Sequence, residues 1–313
     1  MSNHLLFARL ALGGLKSRLP WTQRERGTGG TIGSRYCYSV WMRHRMMLAQ
    51  HMPQLAIEKV VEMGPGDSLG TGLAALLTGV QSYSGLDVVQ HTDARRNVAI
   101  FDQLVAMVRA RASVPDADEF PSLKPPLLDK DHPARTMSAQ DVAGYTDPAR
   151  IDTLRRRLRD LDDDPSSAVR YICPWGQPGP GDKHKADLLF SQAVMEYMDD
   201  LDGAYQALAA WIRPGGAMSH QIDLSCHGLA TTWDGHWAYT DLGWKMIRGK
   251  RPFFINRAPA SAHFKAMERA GMEVVHVTRF EAKPTGHKLA PRFATMSADD
   301  RNTRGIYVIA RKY

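Results

Sequence analysis

The sequence has no closely spaced pair of cysteines, no long apolar run and almost no acidic residue near its N-terminus. Its three cysteines, Cys37, Cys173 and Cys226, are isolated, so the CxxC pattern of a zinc ribbon or a redox dithiol is absent. An odd number of scattered cysteines is typical of a reducing compartment. Every apolar stretch is much shorter than a membrane span, which needs about 20 residues. We therefore expect a cytoplasmic protein without a transmembrane segment.

Negative charge is scarce in the first fifty residues, where Glu25 stands against eight lysines and arginines. The whole chain has 40 Lys and Arg against 33 Asp and Glu, a formal net charge of +7. This balance favours anionic partners, whether acidic small molecules, phosphorylated lipids or nucleic acid, and it does not choose among them. Apolar and basic residues at helical spacing over residues 3–19 leave peripheral contact with a membrane open, although packing on its own domain is the expected use of this helix.

The remaining composition is that of a globular protein, with 43% apolar and 23% charged residues among 313. Apolar runs of strand length alternate with segments of helical periodicity, and this alternation predicts a doubly wound α/β sheet that binds ligands at the carboxyl ends of its strands. The predicted strands lie at 57–62, 81–87, 169–173, 186–191, 217–223, 272–278 and 305–310. No internal repeat is visible.

Two stretches interrupt the alternation and predict insertions. Residues 111–168 are rich in proline, which is typical of a functional insertion or lid, and residues 224–258 are polar and rich in tryptophan. Ahead of the sheet, residues 1–52 predict a basic, helical N-terminal extension, with a glycine-rich linker at 27–34 and a helix over 42–52 that ends at Pro53. In this extension, the segment from Tyr36 to Trp41 and His44 are candidates for one wall of the ligand pocket. The main domain is then expected to span residues 53–313.

A glycine turn follows the first predicted strand, in the sequence Glu62-Met63-Gly64-Pro65-Gly66. Glycine has no Cβ, so the backbone of such a turn can come close to a ligand. A nicotinamide fingerprint would require a third glycine where Leu69 stands. An acidic residue at the end of this strand would repel a pyrophosphate and suits a cation.

Three further segments follow in a regular order. Asp87 ends the second predicted strand, 21 residues after Gly66, where a carboxylate can accept the hydroxyls of a ribose. The segment Ala186–Met198 contains the fourth strand and the residues after it. The turn Pro214-Gly215-Gly216 precedes the fifth strand.

Together and in this order, the four segments resemble the class I S-adenosylmethionine-dependent methyltransferases over residues 55–225. The resemblance implies a Rossmann-like, mostly parallel sheet of seven strands and S-adenosyl-L-methionine as the cofactor. In that family the glycine turn cradles the methionine part of the cofactor, which here implies Glu62, Gly64, Pro65 and Gly66. It further implies that Asp87 binds the ribose, that Val88 lies along the adenine, and that Ser191 and Gln192 close the site.

Several positions depart from the family pattern. Ser68 stands in place of the frequent third glycine, and Glu196-Tyr197 in place of the common Glu-His after strand four. No acidic residue follows strand three to hold the adenine amino group. Trp175 is the candidate there, stacking on the adenine.

The acceptor side of the reaction is expected after strand five, where His220, Asp223 and His227 follow one another. Methyl transfer to a hydroxyl benefits from a positioned general base. We predict Asp223 and His227 as the working pair, with Asp223 orienting the imidazole; His220 is a further candidate, although it faces the other side of the strand from Asp223. A structural role for all three at a strand end remains open. No metal-ligand cluster is apparent, so no metal site is predicted.

The sequence leaves the identity of the methyl acceptor undecided. The segment with Trp233, Trp237 and Trp244 interleaves aromatic rings with cations, a combination that binds sugars with acidic groups, binds single-stranded nucleic acid, or forms the core of a capping subdomain. Residues 220–224 and Asn256-Arg257 are loosely similar to bacterial methyltransferases of surface-polysaccharide synthesis. That similarity implies O-methylation of a sugar, glycan or other small hydroxylated, anionic acceptor. The alternatives are an RNA methyltransferase and a non-catalytic scaffold that binds the cofactor.

Overall fold

The computed structural model describes residues 3–18, 31–161 and 164–313 of the chain. Within these ranges seven strands form one sheet in the order β3-β2-β1-β4-β5-β7-β6. The strands are β1 (Lys59–Met63), β2 (Ser82–Leu86), β3 (Val169–Ile172), β4 (Ala186–Gln192), β5 (Ile212–Asp223), β6 (Met272–Glu281) and β7 (Thr303–Lys312). Strands β1 to β5 pair in parallel, and β7 is antiparallel to β5 and β6. The predicted doubly wound, mostly parallel sheet of seven strands is confirmed.

The helices in the same ranges connect and cover these strands. They are α1 (Asn3–Lys16), α2 (Ser34–His51), α3 (Gly70–Leu76), α4 (Ala94–Arg109), α5 (His132–Thr136), α6 (Ala139–Tyr145), α7 (Pro148–Arg159), α8 (Leu201–Trp211), α9 (Asp241–Arg248), α10 (Ala260–Arg269) and α11 (Ala298–Asn302). Side chains cap several of them: Asp93, Asp147 and Asp200 each accept a hydrogen bond from a first-turn backbone N–H. These caps fix where α4, α7 and α8 begin.

Both faces of the sheet are buried, and successive side chains of a strand pack into different cores. Val60 of β1 belongs to a core cluster with α2, α3, α4 and α7, whereas the next residue, Val61, belongs to a cluster with α8 and α10. Successive residues of a strand point to opposite faces, so a shift of one residue would exchange the two cores. The register therefore also decides which side chains reach the carboxyl edge of the sheet.

Helix α2 differs from its prediction. The helix expected near residues 42–52 begins at Ser34, and most of its residues are buried against the sheet. The segment from Tyr36 to Trp41 and His44 had suggested one wall of a ligand pocket, but Trp41 and His44 lie in the core, and the indole N–H of Trp41 donates to Thr78 Oγ1 at 2.7 Å. That expectation is wrong. The division of the chain at residue 52 stays a prediction, and α2 packs as part of the sheet domain. Residues 27–30 of the predicted linker at 27–34 lie outside the described residues, and residue 34 belongs to α2.

Both predicted insertions carry short helices. Residues 111–168 contain α5, α6 and α7, and α7 contributes Ile151, Leu154 and Leu158 to the core on the α4 side. Residues 224–258 contain α9, against which α1 packs. No helix in the described part of the chain is both long enough and apolar enough to cross a membrane.

Candidate active site

The turn between β1 and α3 depends on its two glycines. Gly64 and Gly66 have φ angles of +69° and +73°, a region that other residues rarely adopt. A Cβ on Gly64 would lie 2.7 Å from a methyl carbon of Val194, which follows β4. The N–H of Gly64 donates to the carbonyl of Leu86 at 2.8 Å and ties the turn to the end of β2. The sequence prediction of a tight turn at this edge therefore has a direct structural reason.

The side chain of Glu62 is buried on the core side of this turn. Its carboxylate is buried, and its Oε2 accepts a hydrogen bond from the Tyr83 hydroxyl at 2.7 Å. Burial raises the pKa of Glu62 to about 8, against the opposing effect of hydrogen bonds from Tyr83, Thr71 and the backbone of Gly72. A carboxyl group held in this way supports the turn from the core side, which differs from the direct contact with a bound cation that the sequence suggested.

Asp87 lies directly after β2, beside the glycine turn. Its Oδ1 accepts a hydrogen bond from the Val88 N–H at 2.8 Å, while its Oδ2 is buried and has no hydrogen-bond partner. Burial raises the pKa of Asp87, and backbone hydrogen bonds from Val88, Gly66 and Val89 oppose that increase. A buried polar atom without a partner is costly, so it calls for a donor that is absent from the chain itself.

Apolar surface flanks Asp87. Val88 and Val89 are 39% and 37% exposed, unusually open for valines that follow a buried strand. On the other side, the backbone N–H of Trp175 donates to the backbone carbonyl of Asp87 at 2.7 Å and holds the loop after β3 beside Asp87. Stacking of the Trp175 ring on the adenine stays a prediction.

Ser191 and His220 hydrogen-bond to each other inside the sheet. Ser191 Oγ lies 2.8 Å from His220 Nδ1, and both residues are fully buried. Burial, followed by the nearby His44 and His263, lowers the pKa of His220 to about 3, so its imidazole is neutral at physiological pH. These positions correct two predictions, because neither side chain reaches the edge where a ligand would bind.

Gln192, at the end of β4, is also fully engaged. Its Nε2 donates to Gln221 Oε1 at 3.2 Å and to the Lys124 carbonyl at 3.1 Å, and its Oε1 lies 3.2 Å from His44 Nε2. Gln192 therefore links the sheet to α2 and to the 111–168 insertion, and its closure of the site stays a prediction.

Asp223 and His227 do come together, and Tyr197 joins them. His227 Nε2 lies 3.4 Å from Asp223 Oδ2, and His227 Nδ1 lies 2.8 Å from the Tyr197 hydroxyl. Asp223 ends β5, His227 has a φ angle of +49° in the following loop, and Tyr197 follows β4. The three side chains are thus brought together from two neighbouring strand ends.

The protonation of this group follows from its surroundings. Burial, followed by the charges of Glu196 and Asp223, raises the pKa of Tyr197, so its hydroxyl keeps its proton. Burial tends to raise the pKa of Asp223, but hydrogen bonds with His227 and Ser225 outweigh it and leave the pKa below its usual value. In the neutral tautomer that presents an N–H at Nε2 to the ionised Asp223, Nδ1 accepts the hydrogen bond from the Tyr197 hydroxyl.

Glu196, next to Tyr197 in the segment after β4, is a candidate site residue to which the sequence assigned no role. Both of its carboxyl oxygens are buried without a hydrogen-bond partner, and burial, followed by the charge of Asp223, raises its pKa well above the usual value. Asn256 fixes this segment, because its Nδ2 donates to the carbonyls of Met195 and Met198 at 3.0 and 2.8 Å. The departure at Glu196-Tyr197 from the family pattern was the available signal, but the unpaired oxygens are visible only in three dimensions.

The tryptophan-rich segment forms the core of a cap. Trp237 and Trp244 are buried, and the buried Arg257 guanidinium lies 4.6 Å from the centre of the Trp244 ring. Arg257 also donates to Asp241 Oδ1 at 2.7 Å. Of the alternatives left open by the sequence, the burial of Trp237, Trp244 and Arg257 supports the core of a capping subdomain.

Several solved structures are similar to this chain at low sequence identity. No protein-family model matches the sequence, and no curated protein matches it. An S-adenosylmethionine-dependent methyltransferase from Mesorhizobium loti has 14% identity over 85% of this chain and 96% of its own, with a TM-score of 0.41. One from Methanosarcina mazei has 9% identity over 85% of this chain and 96% of its own, with a TM-score of 0.44.

A third structure is phosphoethanolamine N-methyltransferase 2 of Haemonchus contortus in complex with S-adenosyl-L-methionine. It has 12% identity over 89% of this chain and 57% of its own, with a TM-score of 0.41. The sheet itself, with antiparallel β7 between β5 and β6, is the mostly parallel, seven-stranded sheet that the sequence predicted.

Proposed function

We propose that this chain is an S-adenosyl-L-methionine-dependent methyltransferase that acts on a hydroxyl group. The observation that carries the proposal is the unpaired, buried Oδ2 of Asp87 beside the left-handed turn of Gly64 and Gly66. A ribose offers adjacent hydroxyls, and one of them would supply the hydrogen bond that Oδ2 lacks. The proposed ligand site is then the edge of the sheet at the carboxyl ends of β1, β2 and β4.

The residues present fit the cofactor in three parts. Asp87 would hold the ribose, and Val88, Val89 and Trp175 offer apolar surface for the adenine. The backbone of Gly64, Pro65 and Gly66 would lie along the methionine part, where only glycines permit the observed turn. When bound, S-adenosyl-L-methionine supplies a methyl group on a sulfonium, which is ready for displacement by a nucleophile.

The Tyr197–His227–Asp223 group can remove the proton of an acceptor hydroxyl. Both nitrogens of His227 are already engaged, so the proton is taken up in two linked movements. The acceptor gives its proton to the Tyr197 oxygen while the Tyr197 proton moves to His227 Nδ1. The imidazolium that results is stabilised by the ionised Asp223 at 3.4 Å. The deprotonated acceptor oxygen would be the nucleophile for the methyl group that the bound cofactor supplies.

We propose a sugar, a glycan or another small hydroxylated, anionic molecule as the acceptor. The excess of basic over acidic residues, 40 to 33, supports the anionic character. The buried tryptophans remove one argument for a sugar, so the proposal depends on the proton-accepting group and on charge. The same charge favours the second candidate, an RNA methyltransferase.

The experiment is transfer of a labelled methyl group from S-adenosyl-L-methionine to three acceptor pools: nucleotide sugars, soluble glycans and RNA. Label in a hydroxylated sugar, lost in the His227→Ala variant, supports the proposal. Label in RNA that declines steeply as salt rises supports the second candidate. Cofactor binding without transfer to any pool contradicts both and favours the scaffold.

A further inference from the structure

Helix α1 turns an apolar face to solvent. Leu5, Leu12 and Leu15 are 64%, 59% and 63% exposed, and helical spacing places them on one side of the helix together with the exposed Ala8. The opposite side packs on the protein through Leu6, Leu10 and Gly14. A helix that only covered its own domain would direct its leucines inward, so this outer face needs an explanation.

Helix α9 extends the same surface. Its Leu242 and Met246, one turn apart, are 71% and 48% exposed. The two helices are in close contact, because a Cβ on Gly14 would lie 2.0 Å from the Met246 carbonyl oxygen and a Cβ on Gly243 would lie 3.3 Å from the Phe7 ring. We call Leu5, Leu12, Leu15, Leu242 and Met246 the α1–α9 patch.

Basic side chains surround the α1–α9 patch. The exposed cations of this region are Arg9, Lys16, Arg18, Lys245 and Lys250. Helix α1 contains no acidic residue. Two acidic residues nearby are paired, Asp199 with Arg248 and Asp241 with Arg257. The patch is therefore apolar at its centre and positive at its edge.

We propose that the α1–α9 patch docks this protein on the surface of an anionic lipid bilayer. Leucines at this spacing can enter the boundary between headgroups and acyl chains, while the surrounding cations contact lipid phosphates. A second copy of the chain fits less well, because a two-fold contact would bring the two positive edges together. The inner face of α1 connects the patch to the candidate site: Phe7 and Leu10 pack in the same cluster as Tyr197, whose hydroxyl contacts His227.

The test is sedimentation of the full chain with vesicles of phosphatidylcholine alone and of phosphatidylcholine mixed with phosphatidylglycerol. We expect binding to the mixed vesicles, weakening as salt rises, and little binding to phosphatidylcholine alone. The double variant Leu12→Ser/Leu242→Ser should bind at least about tenfold more weakly, since two apolar side chains no longer enter the bilayer. The matched control is Leu128→Ser, which changes a leucine that is 51% exposed in the 111–168 insertion.

A second pair of variants tests the charge. Lys16→Gln/Lys245→Gln should weaken binding to the mixed vesicles, whereas Lys265→Gln, on exposed α10 surface, should not. Circular dichroism and the melting temperature show that each variant is folded. Absence of binding to the mixed vesicles, or equal binding by the patch variants and the controls, overturns the proposal. A lipid-free dimer that Leu12→Ser dissociates would assign the patch to a second copy and would likewise overturn it.

Discussion

The hydroxyl of Tyr197 lies 2.8 Å from Nδ1 of His227, a ring whose other nitrogen faces Asp223. This relationship changes the role expected of His227. Both of its nitrogens are engaged, so we propose that Tyr197 meets the acceptor and that His227 receives a proton through it. A relay of this kind requires both members, which gives two variants with a shared outcome.

We expect Tyr197→Phe and His227→Ala each to slow methyl transfer by about 10²–10⁴-fold, the usual contribution of a positioned acid–base group. Their affinity for S-adenosylhomocysteine should stay at the wild-type value, because neither side chain belongs to the Asp87 region. Rates of methyl transfer and calorimetric affinities, measured on the same variants, separate an effect on catalysis from an effect on cofactor binding. Wild-type turnover in either variant would remove the relay.

Asp223→Asn tests the orientation of the imidazole. The asparagine amide can donate a hydrogen bond to Nε2, which favours the tautomer with its proton on Nδ1 and breaks the donation from Tyr197. We expect a fall in kcat of about 10²–10⁴-fold with little change in the fold. As a control, Asp182→Asn alters a carboxylate paired with Arg170 at 2.6 Å, away from this group. Its kcat should be unchanged, and an equal fall in both variants would point to a general loss of structure.

The raised pKa of Glu62 predicts a particular dependence of stability on pH. Its pKa is about 8 in the fold and near 4.5 when unfolded, so the folded state binds more protons between these values. Stability from this group is full below pH 4.5 and is lost as pH rises towards and through 8, by up to about 1.4 kcal/mol per pH unit. The buried histidines act in the opposite direction below pH 6.5, so we compare proteins between pH 6.5 and 8, where the raised pKa of Glu196 adds a slope common to wild type and a Glu62 variant.

Glu62→Gln should flatten that slope. Glutamine can still accept the hydrogen bond from Tyr83 through its carbonyl oxygen, but it has no proton to lose. Urea unfolding of both proteins at several pH values between 6.5 and 8 measures the difference. Parallel curves for the two proteins would show that Glu62 does not titrate in this range.

Gly64→Ala tests the turn. The φ angle of +69° and the approach of Val194 to 2.7 Å both oppose a Cβ at this position. We expect a loss of about 1–2 kcal/mol in the free energy of unfolding and a weaker affinity for S-adenosylhomocysteine. Gly181→Ala is the matched control, because nothing lies within 4 Å of a Cβ at that position. A neutral effect at Gly64 would show that the turn can rearrange.

The strands were accessible from the sequence because apolar runs and glycine turns are local signals. Short capped helices were not: α6 and α9 are capped by Ser138 and Thr240, whose side chains accept backbone hydrogen bonds, within segments that have weak periodicity. Helix α2 was placed too late because its polar residues, such as His44, are buried through partners on distant strands. His44 Nδ1 lies 2.7 Å from Ser219 Oγ, a contact between residues far apart in sequence.

The candidate site likewise contains residues that the sequence could place and residues that it could not. Gly64, Gly66 and Asp87 follow strand ends and could be placed from motif spacing. Ser191 and His220 could not, since the hydrogen bond that pairs them inside the sheet depends on the register of β4 against β5. Tyr197 meets His227 across 30 positions of sequence, and only the folded chain shows that contact.

The central claim is that Asp87 binds the ribose of the cofactor, and the direct measurement is calorimetric titration of wild type and Asp87→Ala with S-adenosyl-L-methionine and S-adenosylhomocysteine. We predict micromolar binding of both ligands to the wild type and a loss of about 1–3 kcal/mol in the variant, the cost of leaving hydroxyls unpaired. Asp118→Ala, which changes an exposed aspartate in the 111–168 insertion, should bind like the wild type. No binding to folded wild-type protein, or the same affinity in Asp87→Ala, would contradict the account.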